Sequence, residues 1–259
     1  MHDSAISGPS GRPLRYWICS TQRSGSTLLC DLLTQTGDHG APDEYLDIGR
    51  AEYRSLFEES GGRRDEYVPW LLTHRSSPNG AFGLKLHWNQ GVNFVRGGRA
   101  RAMAHARLGY GFRAVTQLTR RFDDLKLVWV QREDRVLQAV SHYRARNTNQ
   151  WVRPDGAPTA RRPDPPFDAD EIERSLRWLS RVDRGWQRFF DRIAEPPFVV
   201  VYEQLAADPN PILRALGTHL GVPISATLEP RLERQSTGWS TDMRDRYIAE
   251  RGLPTLTTR

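Results

Sequence analysis

The chain predicts a three-layer α/β fold, a central parallel sheet flanked by helices, on three observations. The first is a strand–turn–helix unit near the N-terminus. Tyr16-Trp17-Ile18-Cys19 is a short apolar run, and Leu28, Leu29, Leu32 and Leu33 recur at helical spacing just beyond a polar turn. The second is Leu-Lys-Leu-Val-Trp-Val-Gln at 125–131, nearly continuous apolar sequence of the kind buried on both faces of a parallel sheet. The third is a late buried strand over 198–202, followed by a helix through Leu213, Leu216 and Leu220 that Gly221 ends.

The remaining elements follow in order. Residues 1–13 are rich in Gly, Pro and Ser and form an expected flexible arm before a single domain over 14–259. Residues 51–75 read as helix, interrupted near Gly61-Gly62. Phe82, Leu84, Leu86 and Trp88 alternate with Gly83, Lys85, His87 and Asn89, a period of two that places Lys85 on a polar face. That face belongs either to an exposed edge strand or to a strand lining a cleft. Residues 91–124 carry many arginines with weak periodicity and suggest a mobile basic insertion with one or two helices. After 125–131, Val136, Leu137 and Val140 continue as a helix. Residues 151–167, rich in Pro and Arg, suggest a variable loop, 168–193 a long amphipathic helix, and 241–250 a polar helix.

Composition narrows the function. The 259 residues give one sizeable core. The net charge of +6 suits an anionic ligand. Nearly all the positive charge is arginine, Lys85 and Lys126 being the only lysines, a bias that a GC-rich genome explains without nucleic acid. Cys19 and Cys30 fall on the first strand and helix and read as buried apolar residues. The seven histidines lack paired ligand spacing, so no metal is expected. No apolar run reaches membrane-spanning length and 1–13 lack the apolar core of a signal peptide, which points to the cytoplasm.

The turn Gln22-Arg23-Ser24-Gly25-Ser26-Thr27 is the chemically informative stretch. It leaves a strand and opens a helix, so backbone N–H groups and the positive helix end converge there, as in an anion site. An ordinary capped helix has the same composition. A nucleoside triphosphate loop requires Gly-x-x-x-x-Gly-Lys-[Ser/Thr]. Aligned on Gly25, this chain has Ser20 for the first glycine and Ser26 for the lysine. A smaller anion fits better, a 5′-phosphate carrying one further group. Arg132 and Ser141 flank the C-terminal end of the strand at 125–131, where open parallel sheets bind ligands.

Several pieces in the same order resemble sulfotransferases that use 3′-phosphoadenosine 5′-phosphosulfate, and among them the trehalose 2-sulfotransferase type. They are Gln-Arg-Ser-Gly-Ser-Thr-Leu-Leu at 22–29, Pro-x-Glu-Tyr at 42–45, Lys-Leu-x-Trp-Asn-Gln at 85–90, Gln-Ala-Val-Ser at 138–141 and Leu-Glu-Arg-Gln at 232–235. Val-Tyr-Glu-x-Leu at 201–205 before Asp208-Pro209 is similar to a late strand of the same families. The resemblance implies a P-loop-like fold and transfer of the sulfuryl group to a hydroxyl of a carbohydrate or other small molecule. It implies donor contacts from Gln22, Arg23, Ser24, Gly25, Ser26, Thr27, Arg132, Ser141 and Arg234. Glu44 matches the family's general base, and Arg23 would stabilise the leaving 5′-phosphate, across the donor from Arg132 and Ser141. Asn89 and Tyr45 are implied acceptor contacts, Lys85 is placed to reach either the sulfuryl oxygens or the acceptor, and a homodimer is an expected assembly. The family's second acid falls on Ala41. Two rival readings stand beside this one: a small-molecule kinase, which the absent loop lysine disfavours, and a basic nucleic-acid-binding module.

Overall fold

A computed structural model describes residues 12–97, 110–151, 162–231 and 238–253. Its sheet has four parallel strands, β1 (Arg15–Ser20), β2 (Phe82–His87), β3 (Leu125–Gln131) and β4 (Phe198–Val201), in the order β2-β1-β3-β4. The helices are α1 (Ser26–Gln35), α2 (Ala51–Glu59), α3 (Arg64–His74), α4 (Trp88–Arg96), α5 (Tyr110–Thr119), α6 (Arg135–Thr148), α7 (Ala169–Phe190), α8 (Tyr202–Ala207), α9 (Pro209–Leu220) and α10 (Gly238–Arg251).

Alternation along β1 divides the layers. Tyr16 and Ile18 face α1 and α9 through Leu29, Leu33, Leu213 and Leu216, while Trp17 and Cys19 face the aromatic core of α3, α4, α5 and α7. Both faces of the sheet are covered, as the apolar runs require. A third apolar cluster joins α6, α7 and α10 through Val140, Leu179 and Tyr247. The chain steps from β1 to β2 on one side and later to β3 on the other. The crevice at the C-terminal ends of these strands is therefore a topological switch point, where such sheets take ligands.

The one or two helices expected within 91–124 are present in its described parts. Its first residues complete α4, which starts at Trp88, and α5 buries Ala114, Val115 and Leu118 while Arg113 stays exposed. The helical spacing of those three residues carries the packing; the arginines mask it in the sequence. Residues 98–109 lie outside the described residues. β2 is an edge strand, yet all six of its residues are buried. Its outer edge is covered by the chain after α1, where Asp43 bridges Leu84 and the Lys85 N–H donates to the Asp43 carbonyl at 3.0 Å. Among the described residues no helix is long and apolar enough to cross a membrane.

Candidate active site

The loop from β1 into α1 is shaped to receive an anion. Arg23 and Gly25 both have left-handed backbone, φ 62° and 92°, so successive N–H groups curve into a concavity. Gly25 is the N-cap of α1 and no side chain caps that end. A Cβ at Gly25 would stand 2.2 Å from Cδ2 of Tyr202, so only glycine fits. Among the described residues Ser24 Oγ and Gln22 Oε1 are buried without a hydrogen-bond partner; Gln22 lines the cleft, and Ser24 does not. Gln138 of α6 pins the loop from behind, donating to Thr21 Oγ1 at 2.9 Å and to the Gln22 carbonyl at 2.8 Å.

A cationic wall rises beside this loop. Arg132, at the end of β3, stacks 4.7 Å from the Tyr202 ring centre and donates to the Arg23 carbonyl at 3.1 Å. Arg23 Nε donates to Ser141 Oγ at 2.8 Å, and the same guanidinium reaches the Trp151 carbonyl. Burial, with Arg132 adding to it, pushes the Arg23 guanidinium down to about 10. This arrangement corrects one sequence expectation. Arg23 does not stand across the site from Arg132 and Ser141; its guanidinium joins Ser141 and its carbonyl joins Arg132.

Glu44 forms the opposite wall. After α1 the chain reverses at Gly40 (φ 73°), where a Cβ would meet the Ala81 carbonyl at 2.9 Å, and runs back along β2. Glu44 Oε1 lies 2.7 Å from Lys85 Nζ and 3.6 Å from His87 Nε2. Its Oε2 accepts from Gln90 Nε2 at 2.5 Å, with Arg50 at 3.9 Å. Burial alone would raise this carboxyl, but Lys85 and His87 together hold it well below the ordinary carboxylate range. Burial would likewise lower Lys85, and Glu44 holds it above its ordinary value. Lys85 Nζ also donates to Thr27 Oγ1 at 2.8 Å, which ties the anion loop to the acid.

Both walls open into one cleft of about 850 Å³. Of the residues singled out in the sequence, Gln22, Arg23, Gly25, Ser26, Thr27, Glu44, Lys85, Asn89, Arg132 and Ser141 all line it. Asn89 accepts from Gln22 Nε2 at 3.2 Å. Tyr45 is a correction: it is buried in the core, its ring stacked on Phe82 and its hydroxyl satisfied by the Ala41 carbonyl at 2.7 Å, away from the cleft. Arg234 lies outside the described residues. Among the described residues no group of three His, Cys, Asp or Glu could hold a metal ion. Sequence reasoning missed Asp47 and Gln90 in the cleft lining and the part of Tyr202 as the platform under Arg132. For Gln90 a signal existed: a glutamine three residues after a strand end, at the start of a helix, is half of a capping box.

A family model described as Stf0 sulphotransferase matches residues 15–250. The chain is 31% identical over 267 residues to a trehalose 2-sulfotransferase of Mycobacterium tuberculosis, with 93% of this chain and 97% of the relative covered. It is 29% identical over 272 residues to a trehalose 2-sulfotransferase of Mycolicibacterium smegmatis, with 95% and 99% covered. Among solved structures, the sulfotransferase domain of the curacin biosynthetic pathway superposes with a TM-score of 0.50 at 13% identity, covering 93% of this chain and 98% of that one. That likeness supports the P-loop-like fold.

Proposed function

The chain belongs to the Stf0 sulfotransferase family, and from that membership we propose that it moves a sulfuryl group from 3′-phosphoadenosine 5′-phosphosulfate to a carbohydrate hydroxyl, with Glu44 as general base. One observation carries the reading: Lys85 joins Thr27 of the anion loop to Glu44, so donor loop and base meet at a single ammonium.

The residues fit the donor. The curved loop, which lines the cleft with Gln22, Gly25, Ser26 and Thr27, suits the 5′-phosphosulfate, and the cluster of Arg23, Arg132 and Ser141 suits the 3′-phosphate. When bound, the donor supplies a sulfuryl group less charged than a phosphoryl group, which accords with Ser26 standing where a kinase loop has lysine. Lys85 is placed to partner a sulfonate lying against Thr27, and in doing so it frees Glu44 Oε1 to take the hydroxyl proton. Positioning and fixed positive charge then supply most of the acceleration. Asp47, Asn89 and Asn93 also line the cleft and offer the hydrogen-bonding groups that a polyhydroxylated acceptor requires.

The test is a panel of sugars, trehalose included, incubated with labelled donor and the wild-type or Glu44→Gln protein. Glu44→Gln keeps the shape but cannot accept a proton, so turnover falls by about 10²- to 10⁴-fold. Transfer at the wild-type rate by Glu44→Gln removes Glu44 as the base. No labelled product from any hydroxyl acceptor removes the activity.

A further inference from the structure

Glu44 is carried by the connection between α1 and α2, outside any helix or strand, whereas a general base must hold its carboxylate to within about 0.5 Å of the productive position. Gln90, the third residue of α4, is 6% exposed and has both ends of its amide engaged. Its Oε1 accepts from the His87 backbone N–H at 3.0 Å. That contact fixes the amide orientation, because only the oxygen can accept, and it turns Nε2 toward the cleft. Nε2 then donates to Glu44 Oε2 at 2.5 Å and to Asp47 Oδ2 at 3.3 Å.

We propose that Gln90 is the positioning residue of the base, its amide N–H groups holding Glu44 and Asp47 side by side in the cleft lining. The inference rests on the reading of Glu44 as the base. Physically, one amide nitrogen shared by two carboxylates fixes where an oxygen of each lies, provided the amide itself is held. Gln90 supplies that nitrogen and anchors it to the end of β2 through the His87 N–H. The charged and titratable groups facing Glu44 are Lys85 and His87 of β2 and Arg50 at the start of α2, while Asp47 of its own loop shares the Gln90 amide. Cys30 of α1 and Tyr53 of α2 also sense its charge.

Gln90→Glu separates this role from a merely structural one. It keeps the oxygen that accepts from His87 and the length of the side chain, but replaces the donor amide by a third carboxylate. The expected result is a loss of kcat/KM of about tenfold or more at neutral pH, as for a misplaced catalytic group. The acid limb of the pH profile moves upward by about one unit. Affinity for adenosine 3′,5′-bisphosphate stays at the wild-type value, since Gln90 touches no part of the donor loop. A wild-type rate and acid limb in Gln90→Glu overturn the inference and leave Gln90 a helix cap. If Gln90→Glu does not fold, Gln90→Met carries the same test through kcat alone, and a wild-type kcat overturns the inference. Glu44→Gln, measured in parallel, separates the two failures. Full turnover there removes the base and this inference with it; lost turnover there with an unaffected Gln90→Glu removes only the role of Gln90.

Discussion

Lys85 Nζ lies 2.7 Å from Glu44 Oε1 with both side chains largely buried, an ion pair at the floor of a cleft rather than on a surface. A surface pair contributes little because water screens it. Here the surroundings are protein on most sides, and each partner shifts the titration of the other.

That coupling gives a pH dependence of stability with a definite sign. Glu44 titrates well below its ordinary 4.5 in the folded protein, and Lys85 above its ordinary 10.5. A depressed carboxyl contributes stability above its unfolded value that is lost as pH falls through the folded one. A raised ammonium contributes below its unfolded value and loses it as pH rises through the folded one. The pair therefore stabilises fully between 4.5 and 10.5. Glu44→Gln should lower Tm in that window, toward the low end of the roughly 3 to 5 kcal/mol that breaking a buried pair costs, since the cleft admits water. The gap in Tm between the two proteins should close as pH falls below 4.5. A gap that stays constant with pH would show that the pair contributes nothing through its charges.

The cluster of Arg23, Arg132 and Ser141 predicts what the protein binds. Adenosine 3′,5′-bisphosphate should raise Tm, and ATP, which lacks a 3′-phosphate, should raise it far less. At a hundred times its dissociation constant the ligand contributes about 2.7 kcal/mol, readily seen in a melting scan. Arg23→Ala and Arg132→Ala should each shrink the shift, because the Arg23 guanidinium is bonded to Ser141 and its carbonyl to Arg132. Equal shifts from ATP would favour the kinase reading.

Gly25 offers a steric test of the same site. A methyl group there meets Tyr202 at 2.2 Å on a backbone with φ 92°. Gly25→Ala should displace the ring on which Arg132 stacks, weakening adenosine 3′,5′-bisphosphate as well as lowering Tm. Gly37→Ala is the control: its φ is 74° but nothing lies within 4 Å of the added carbon. It should cost only the left-handed strain of about 1 to 2 kcal/mol, with ligand affinity intact.

Much of this was legible in the sequence where local pattern and packing agree. The run at 125–131 is β3 residue for residue, and the polar turn at 22–27 does lie between β1 and α1. What stayed hidden was set by contacts between distant residues. Nothing local marks Tyr45, one residue from the acid, as a core ring rather than a cleft residue; Phe82 and Tyr53 decide it. The alternation at 82–89 allowed an exposed Lys85, and only the returning chain at Asp43 encloses it. Arg23 takes a positive φ that arginine rarely adopts and meets Ser141 more than a hundred residues away, neither of which a local sequence rule would assign.

Lys85 carries two tasks, and its variants should separate them. In the free protein it opposes the burial of Glu44. Lys85→Met leaves that burial less opposed, so the carboxyl titrates higher and the acid limb of kcat/KM moves to higher pH. In the reaction its ammonium would face the sulfonate beside Thr27, where charge develops as the group transfers. Loss of one such preorganised donor costs about 10²- to 10³-fold in kcat. Above the shifted limb Glu44 is ionised in both proteins, so kcat compared there reports the second task alone. Donor KM should change less than in Arg132→Ala, whose guanidinium belongs to the opposite wall of the cleft. Lys85→Arg keeps the charge in a slot that exposes only 5% of the lysine, so it should restore part of kcat and most of the acid limb. A Lys85→Met protein that moves the limb but keeps full kcat above it would restrict Lys85 to holding Glu44, and the cation at the sulfonate would have to be sought in Arg23.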